Sequence, residues 1–480
     1  MKRLSKCSLV LALIMTLVSC GTAANNAVST SSVSGETENS ETSTGPDPNY
    51  GLGEHNFDGR EFGIVTCKNY FFSPYDPESE NGEILNDAAY KRNRNIEERF
   101  NCRISYTMLD GSAGEAADAI RQNVMVNDTE YQLGIVHPYM GLRGLITESL
   151  VLDWNKIDTI DFSNPWWNKS FNETLSIKDI LPCASSDFIY FNSGCIYFNK
   201  ELAEKYEITD PYQLVYDSSW TWDKLAEISA EVALDIDGND VMDGSDQYGY
   251  SIINNHRVIP VTYSYGILPS SCDDNGFISL KNLGSEKMHN IVENYRAFLF
   301  DSGSAFIPKS DELVPFRNGQ ILFLHYVTQN IVALRDLNWD FGILPMPKYD
   351  DKQENYYSLA QSNVMVIPVT ETDMEFVGTI IEALSAESYL NVLPALYDTT
   401  FNNKYLRDED SIKMFDIIKN SLVYDPVWNY CPKGDIAYFL STLLGKDSSD
   451  TVSFYASKHE AAETDLREFF DEVIAAYETN

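Results

Sequence analysis

The stretch FDGREFGIVT, residues 57–66, determines the predicted fold because it places a turn directly before a first β-strand. A helix is predicted from Ile84 to Phe100, where apolar residues fall roughly on one face. A strand at 102–106, a helix at 114–125 and a strand at 131–136 follow. This alternation predicts parallel strands joined by helical crossovers.

Polar and aromatic residues follow two of these strands. Lys68, Asn69 and Tyr70 come after the first strand, and His137 and Tyr139 come after the third. In open sheets of this class, ligands bind beyond the carboxyl ends of the strands. The sequence therefore predicts a ligand-binding edge at these loops.

The rest of the chain continues to mix strands and helices, without a repeat period. Further strands are predicted at 190–198, 321–325, 341–344 and 363–369. Further helices are predicted at 200–206, 222–234, 286–300, 314–317, 375–386, 411–420 and 459–477, with Thr221 as the cap of the second of them.

Length and charge restrict the function classes. The chain has 480 residues, a length typical of two or three domains. It carries 35 basic and 72 acidic residues, for a formal net charge of −37. Nucleic-acid binding and polybasic attachment to anionic lipid both need clustered Lys and Arg, so this charge balance argues against both.

The amino terminus has the pattern of an export signal. A basic start and the apolar stretch 9–18 lead into LVSC, residues 17–20, which resembles the bacterial lipobox. We predict that 1–20 is a lipoprotein signal peptide, that Cys20 is lipidated, and that the protein is anchored to the cell membrane, facing the extracytoplasmic side. The alternative is an ordinary secretory signal that ends near a cysteine. Residues 21–55, rich in Ser, Thr and Asn, predict a disordered tether.

The cysteines beyond Cys20 do not form a recognisable framework. Their spacings are long and irregular, and no C-x-x-C occurs. A core of this size does not need disulfides. We predict mostly free, buried thiols at Cys67, Cys102, Cys183, Cys195, Cys272 and Cys431.

Short motifs carry a family resemblance. They are GEILNDA (82–88), RNIEERF (94–100), PWW (165–167), IYFNKEL (196–202), WTWDKL (220–225), DIDG (235–238), DQYGY (246–250), FRNG (316–319) and FGILPMPK (341–348). Their order, together with the lipobox and tether, resembles the extracellular solute-binding proteins of bacterial ABC importers, in the carbohydrate-type group related to maltose-binding protein.

The resemblance implies an α/β, two-lobe periplasmic-binding-protein-like fold of type II. Each lobe is expected to be a mainly parallel sheet flanked by helices, and the lobes close over ligand by hinge motion. By analogy, lobe one is 56–157 plus 354–425, and lobe two is 158–353 plus 426–480.

The resemblance also implies a function. A lipid-anchored monomer would capture a carbohydrate-like solute, expected to be an oligosaccharide, and deliver it to the membrane permease of an ABC transporter. Two alternatives stay open: an extracytoplasmic lipoprotein glycoside hydrolase, and a module on the same fold that presents ligand to a sensor.

Sugar binding uses aromatic faces and planar polar side chains. The resemblance and the strand ends together nominate a set of ligand-binding residues. For Trp166 and Trp167, a role as a structural anchor is as good an interpretation as a role in stacking on the ligand. The set is Lys68, Asn69, Tyr70, His137, Tyr139, Trp166, Trp167, Tyr263, Tyr265, His325 and Tyr326.

An acidic loop resembles a calcium site. Asp235, Asp237 and Asn239 match positions 1, 3 and 5 of an EF-hand-like pattern, Val241 would offer its carbonyl, and Asp246 falls at position 12. Position 6 lacks the usual glycine, and position 12 is not glutamate. The alternative is a solvated acidic turn.

Catalytic motifs are missing from the sequence. It contains no G-x-S-x-G, H-E-x-x-H or G-x-x-x-x-G-K-[ST] pattern. The 72 acidic residues leave a glycosidase carboxylate pair open, because they offer any spacing. We predict a protein that is not an enzyme and that needs no cofactor apart from the calcium ion considered above.

Overall fold

The computed structural model describes residues 50–68, 76–272, 278–310, 313–334, 336–397 and 409–478. The signal segment with Cys20, residues 21–49 of the predicted tether, and the candidate ligand residues Asn69 and Tyr70 lie outside these ranges. No helix in the described ranges combines the length and apolar character needed to cross a bilayer.

The strands are numbered along the chain. They are β1 Arg60–Cys67, β2 Cys102–Leu109, β3 Leu133–Val136, β4 Gly194–Asn199, β5 Tyr248–Ser251, β6 Ser271–Cys272, β7 Ile278–Ser279, β8 Ala305–Phe306, β9 Ile321–Val327, β10 Phe341–Leu344, β11 Ser358–Leu359, β12 Val364–Val366 and β13 Leu422–Val423.

The α-helices are numbered in the same way. They are α1 Ile84–Phe100, α2 Glu115–Met125, α3 Arg143–Thr147, α4 Lys169–Leu175, α5 Lys200–Lys205, α6 Pro211–Tyr216, α7 Trp222–Val232, α8 Ile259–Ser264, α9 Glu286–Phe300, α10 Leu313–Arg317, α11 Met374–Glu387, α12 Leu393–Tyr397, α13 Glu409–Asn420, α14 Pro426–Asn429, α15 Phe439–Gly445 and α16 Thr451–Glu478.

Two large sheets organise the fold, with strand orders β12-β3-β1-β2 and β10-β4-β9-β5-β8. In the first, β1 runs parallel to β2 and β3, and β12 is antiparallel. In the second, β5 is parallel to β8 and β9, whereas β4 is antiparallel to β9 and β10. Both sheets are therefore mixed. The first is mainly parallel, as expected, whereas the second has two parallel and two antiparallel pairings. The chain passes from one sheet to the other before it enters β4, and again before it enters β12. Neither strand is therefore joined to a preceding strand of its own sheet by the helical crossover that makes neighbouring strands parallel.

The first strand shows why this sequence forms a doubly covered sheet. Phe62 and Ile64 pack into one apolar cluster, and Val65 and Cys67 pack into another. Residues one apart on a strand point to opposite faces, so a strand covered on both faces needs a near-continuous apolar run. Helices cover both sides of this sheet as a result.

The packing of the cores differs from the predicted lobe boundaries. Trp166, Trp167 and Phe188 pack with the first sheet, although 158–353 was expected in lobe two. Helix α13 packs Met414 against the second sheet, although 354–425 was expected in lobe one. Helix α16 contacts both: Ala462 packs into the second core and Leu466 into the first.

The amino-terminal end of the described chain is packed, which corrects the expectation of a tether extending to residue 55. The Arg99 guanidinium lies over the buried Tyr50 ring at 4.9 Å from its centroid, and Arg99 also donates to the Leu52 carbonyl at 3.2 Å. Tyr50 and Leu52 bury apolar surface on the first lobe.

The prediction of free thiols is confirmed for five of the six cysteines. Cys67, Cys102, Cys183 and Cys195 are buried, Cys431 is partly buried, and all five are free. Burial raises the pKa of the Cys102 thiol to about 12. The side chain of Cys272 lies outside the described part.

A buried carboxylate anchors the Pro-Trp-Trp motif. Glu382 of α11 is 1% exposed and accepts hydrogen bonds from Asn164 Nδ2 at 2.8 Å and from the indole nitrogens of Trp166 and Trp167, each at 2.9 Å. Burial raises its pKa to about 7, although these donors act in the opposite direction. The carboxyl group therefore fixes the segment around Trp166 to α11.

The Glu382 pKa predicts a pH-dependent stability. A carboxyl whose folded-state pKa exceeds its unfolded value binds its proton more tightly when folded, so its contribution is largest below about pH 4.5 and falls as pH rises to about 7. The unfolding temperature of the wild type minus that of Glu382→Gln should be larger at pH ~5 than at pH ~8. Thermal unfolding by circular dichroism measures this, with the exposed Glu98→Gln as control. An equal difference at both pH values would contradict the assignment.

Candidate functional site

The carboxyl end of β3 leads into an irregular turn that presents His137 and Tyr139. Gly141 makes the turn possible with φ of +117°, because a Cβ at this position would lie 2.4 Å from Ala117 Cβ on α2. The turn is thus held close to the first lobe, and the rings of His137 and Tyr139 contact Trp428.

Tyr139 is the centre of an aromatic contact between the lobes. Its ring stacks on Trp428 at 5.3 Å and meets Tyr438 edge-on at 5.2 Å. Its hydroxyl donates to the exposed Asp435 at 3.1 Å. We name the surrounding group the inter-lobe aromatic cluster: Tyr139, Ile259, Tyr263, Leu359, Val423, Trp428, Ala437 and Tyr438.

The local sequence explains how Trp428 reaches this position. Asp425 caps α14 by accepting the Val427 backbone N–H at 2.7 Å, and Pro426 occupies the first helical position. The other Asp425 oxygen accepts the Ser270 N–H at 3.1 Å, which ties the start of the helix to lobe two. Burial raises the pKa of Asp425 to about 6.

Two polar atoms of the cluster are buried without a hydrogen-bond partner among the described residues: Tyr263 Oη and Trp428 Nε1. Tyr263 is 1% exposed and Trp428 is 3% exposed. Leaving such a group unsatisfied costs about 1–3 kcal/mol. A hydroxyl-bearing ligand at this position would supply the missing partners.

Two amides lie beyond parallel strands of lobe two. Asn254 follows β5 and Gln329 follows β9, and parallel strands end at the same sheet edge. Asn254 Oδ1 and Gln329 Nε2 are also buried without a partner within the described ranges. Planar amides of this kind suit the recognition of neighbouring hydroxyl groups.

Burial at the junction of the lobes affects the charge of His137. Burial, and then the proximity of His256 on lobe two, lowers the pKa of His137 to about 4, so its imidazole is neutral at pH 7. The His137 ring lies edge-on to Trp428 at 6.2 Å. The Arg257 guanidinium stacks over the Tyr326 ring at 4.2 Å, which places its charge on an aromatic face.

The structure brings some of the predicted residues together and separates others. His137, Tyr139 and Tyr263 meet around Trp428. Tyr265 instead stacks on Trp222 at 5.4 Å in the core of lobe two.

His325 also lies inside lobe two. It is 1% exposed, and its Nδ1 lies 3.0 Å from Tyr250 Oη. Burial, followed by the charge of Arg257, lowers its pKa to about 3. Tyr326, next along β9, receives a hydrogen bond from Asn330 at 2.8 Å and lies under Arg257.

The remaining candidates lie elsewhere. Trp166 and Trp167 are 2% and 4% exposed and bind Glu382 through their indole N–H groups, so their position corresponds to the structural anchor. Lys68 pairs with Asp110 at 3.1 Å on the surface beyond β1.

Sequence reasoning missed Trp428, Tyr438, Asn254 and Gln329. The amides carried the same signal that identified His137, because each follows the end of a strand. For Trp428, the only signal in the sequence was the Asp-Pro pair before it, which is typical of a helix start. Tyr438 comes from a short irregular stretch with no usable periodicity.

The acidic loop forms a compact, internally hydrogen-bonded turn. Oxygens of Asp235, Asp237 and Asp246 lie within 4.8 Å of one another. Asp235 accepts the backbone N–H groups of Gly238 and Asp240, each at 2.8 Å, so its oxygens already have donors.

The rest of the loop follows the same pattern. Asp246 accepts the Ile236 and Asp243 N–H groups at 2.8 and 2.7 Å, and Asn239 Oδ1 accepts the Val241 N–H at 2.7 Å. Calcium binding here stays a prediction.

Sequence comparison yields no relative. No protein-family model matches the chain. No curated protein matches it either.

Comparison of the structures does find similar folds. The galacto-N-biose/lacto-N-biose I-binding protein of a Bifidobacterium longum ABC transporter superposes with a TM-score of 0.61 at 11% identity, covering 86% of this chain and 98% of that one. The cyclic α-maltosyl-1,6-maltose-binding protein of Arthrobacter globiformis gives 0.60 at 11% identity, covering 85% and 100%. The ABC substrate-binding protein Lmo0181 of Listeria monocytogenes, in complex with cycloalternan, gives 0.55 at 13% identity, covering 88% and 99%.

These similarities extend over nearly the whole of each solved structure. At such identities they establish the fold. The resemblance read from the sequence motifs is confirmed at that level: this chain has the two-lobe α/β fold of ABC solute-binding proteins.

Proposed function

We propose that this protein is a lipid-anchored extracytoplasmic receptor that captures a carbohydrate between its lobes and delivers it to an ABC permease. The observation that carries the proposal is the inter-lobe aromatic cluster, where Tyr139 and Trp428 stack beside polar atoms that lack partners among the described residues. Aromatic faces pack on the C–H faces of sugar rings, and the polar atoms would bind sugar hydroxyls.

The comparisons support a sugar as ligand. The similar structures are described as binding proteins for lacto-N-biose, cyclic α-maltosyl-1,6-maltose and cycloalternan. The neutral imidazole of His137 suits an uncharged, hydroxyl-rich molecule. An oligosaccharide is therefore the ligand class that we propose.

The proposed mechanism is binding with closure of the lobes and no covalent step. Tyr139 belongs to the first lobe, whereas Tyr438 lies between Ile436 and Phe439 of the second-lobe core. A ligand that contacts both aromatic rings would favour the arrangement in which the lobes approach each other.

Membrane attachment is the part of the proposal that rests on the sequence alone. Acylation of Cys20 would hold the receptor near its permease and raise its effective concentration there. Radiolabelled palmitate should label the wild type in a bacterial host and should not label Cys20→Ser.

Ligand binding should stabilise the protein by mass action. A hundredfold excess over Kd adds about 2.7 kcal/mol to the free energy of unfolding. A thermal-shift screen of di- to octasaccharides should give a rise in Tm for at least one sugar, and chromatography should recover that sugar unchanged. A matched screen of short peptides is the control. No shift with any sugar would contradict the carbohydrate proposal, and turnover of the sugar would favour the hydrolase.

Removal of the unpartnered Tyr263 hydroxyl should change stability and ligand affinity in different ways. Tyr263→Phe removes a buried group that lacks a partner among the described residues, so the ligand-free protein should be as stable as the wild type or more stable. The same change should weaken binding of the sugar found by the screen about three- to tenfold, the loss of one hydrogen bond.

Tyr265→Phe is the matched control, because Tyr265 lies two residues away in the core of lobe two. Isothermal titration calorimetry measures both affinities. Equal affinity for wild type and Tyr263→Phe would place Tyr263 outside the binding site.

A further inference from the structure

The turn at 430–435 needs support from outside itself. Cys431 and Asp435 both have positive φ, at 46° and 52°, and Gly434 has φ of 87°. Non-glycine residues in this conformation cost of order 1 kcal/mol and persist only where neighbouring groups hold them. This turn directly follows Trp428 and contains Asp435, the acceptor for Tyr139.

An arginine of the first lobe holds the carbonyl groups of the turn. Arg143 of α3 donates to the carbonyls of Tyr430 and Cys431, each at 3.3 Å. The same guanidinium donates to the Asp465 carboxylate and, at 3.2 Å, to the Asp465 carbonyl. Its charged plane also lies over the Phe469 ring at 4.7 Å.

A carboxylate of α16 also binds the turn. Asp465 is 4% exposed and accepts the Lys433 backbone N–H at 3.1 Å. Its other oxygen lies 3.1 Å from Lys433 Nζ. Burial opposes ionisation, but the bonds from Arg143 and Lys433 outweigh it and hold the pKa of Asp465 below its usual range.

Asp465 also lies where α16 changes lobes. Three residues before it, Ala462 packs in the second core, and one residue after it, Leu466 packs in the first. At 28 residues, the helix is about 42 Å long and continuous over this junction. The carboxylate therefore connects the turn to α16, the helix that packs against both lobes.

We propose that Arg143 and Asp465 are positioning residues of the cleft, which hold turn 430–435 so that Trp428 and Asp435 meet Tyr139. They touch neither Trp428 nor Tyr139 in any contact described above, and they act through the turn. Their effect on affinity rests on the proposed function; their effect on the turn does not.

We call the hold of Arg143 and Asp465 on turn 430–435 the clamp. Hydrogen exchange of the ligand-free protein tests it directly. In Asp465→Asn, peptides covering 430–438 should exchange faster than in the wild type, while peptides of β1 and β3 should keep their rates. Glu478→Gln is the matched control, because Glu478 lies on the same helix and pairs with Lys178 on the surface. Unchanged exchange over 430–438 would overturn the proposal.

Arg143→Lys provides a second variant that keeps the charge. Lysine cannot bond the two turn carbonyls and Asp465 together as the guanidinium does, so the same peptides should loosen. With the sugar identified by thermal shift, both variants should bind about tenfold more weakly, and Glu478→Gln should bind like the wild type.

The two proposals can fail separately. Faster exchange with unchanged affinity would overturn the positioning role. If no sugar binds the wild type, the proposed function fails, and the exchange rates over 430–438 alone decide whether the clamp exists.

Discussion

Between the two sheets, β11 runs parallel to β13, and an isolated bridge joins Ser193 to Ala360 beside them. Ser193 Oγ donates to Ser358 Oγ at 2.6 Å, and Ser358 Oγ donates to the Gly194 carbonyl at 3.0 Å. Hydrogen bonds therefore fix the polypeptide where it passes between lobes. The inter-lobe aromatic cluster forms on one side of this ladder: Leu359 and Val423 pack there, whereas Leu422 packs against the first core.

Much of the secondary structure could be predicted because local pattern determines it. Helices 84–100 and 286–300 and strand 341–344 have the predicted limits, and Thr221 caps α7 as expected. The lobe limits were less predictable. Whether Trp166 packs with the first or the second sheet depends on Glu382, which lies more than two hundred positions away, and no local pattern contains that information.

The candidate site shows the same division between local and long-range information. The strand-end rule selected His137 and Tyr139, which contact Trp428, and also Lys68, which instead pairs with Asp110 on the surface. The family resemblance, which supplied the candidates of lobe two, could not choose between neighbours. Tyr263 and Tyr265 are two residues apart on a helical segment and point to nearly opposite sides, so one faces the cluster and the other faces the core. Adjacent residues of a strand diverge in the same way, which separates His325 from Tyr326.

Buried polar atoms without a partner occur in several parts of the described chain, and two of them belong to the inter-lobe aromatic cluster. Tyr263 Oη and Trp428 Nε1 each cost about 1–3 kcal/mol when left unpaired. What distinguishes these two atoms is their position beside stacked aromatic rings at the junction of the lobes. Sites that break the rules of core packing are where function is expected, because the cost can be recovered when a ligand supplies the missing partners. If the proposed sugar bonds these two atoms, the stability lost in the ligand-free protein becomes part of the driving force for binding.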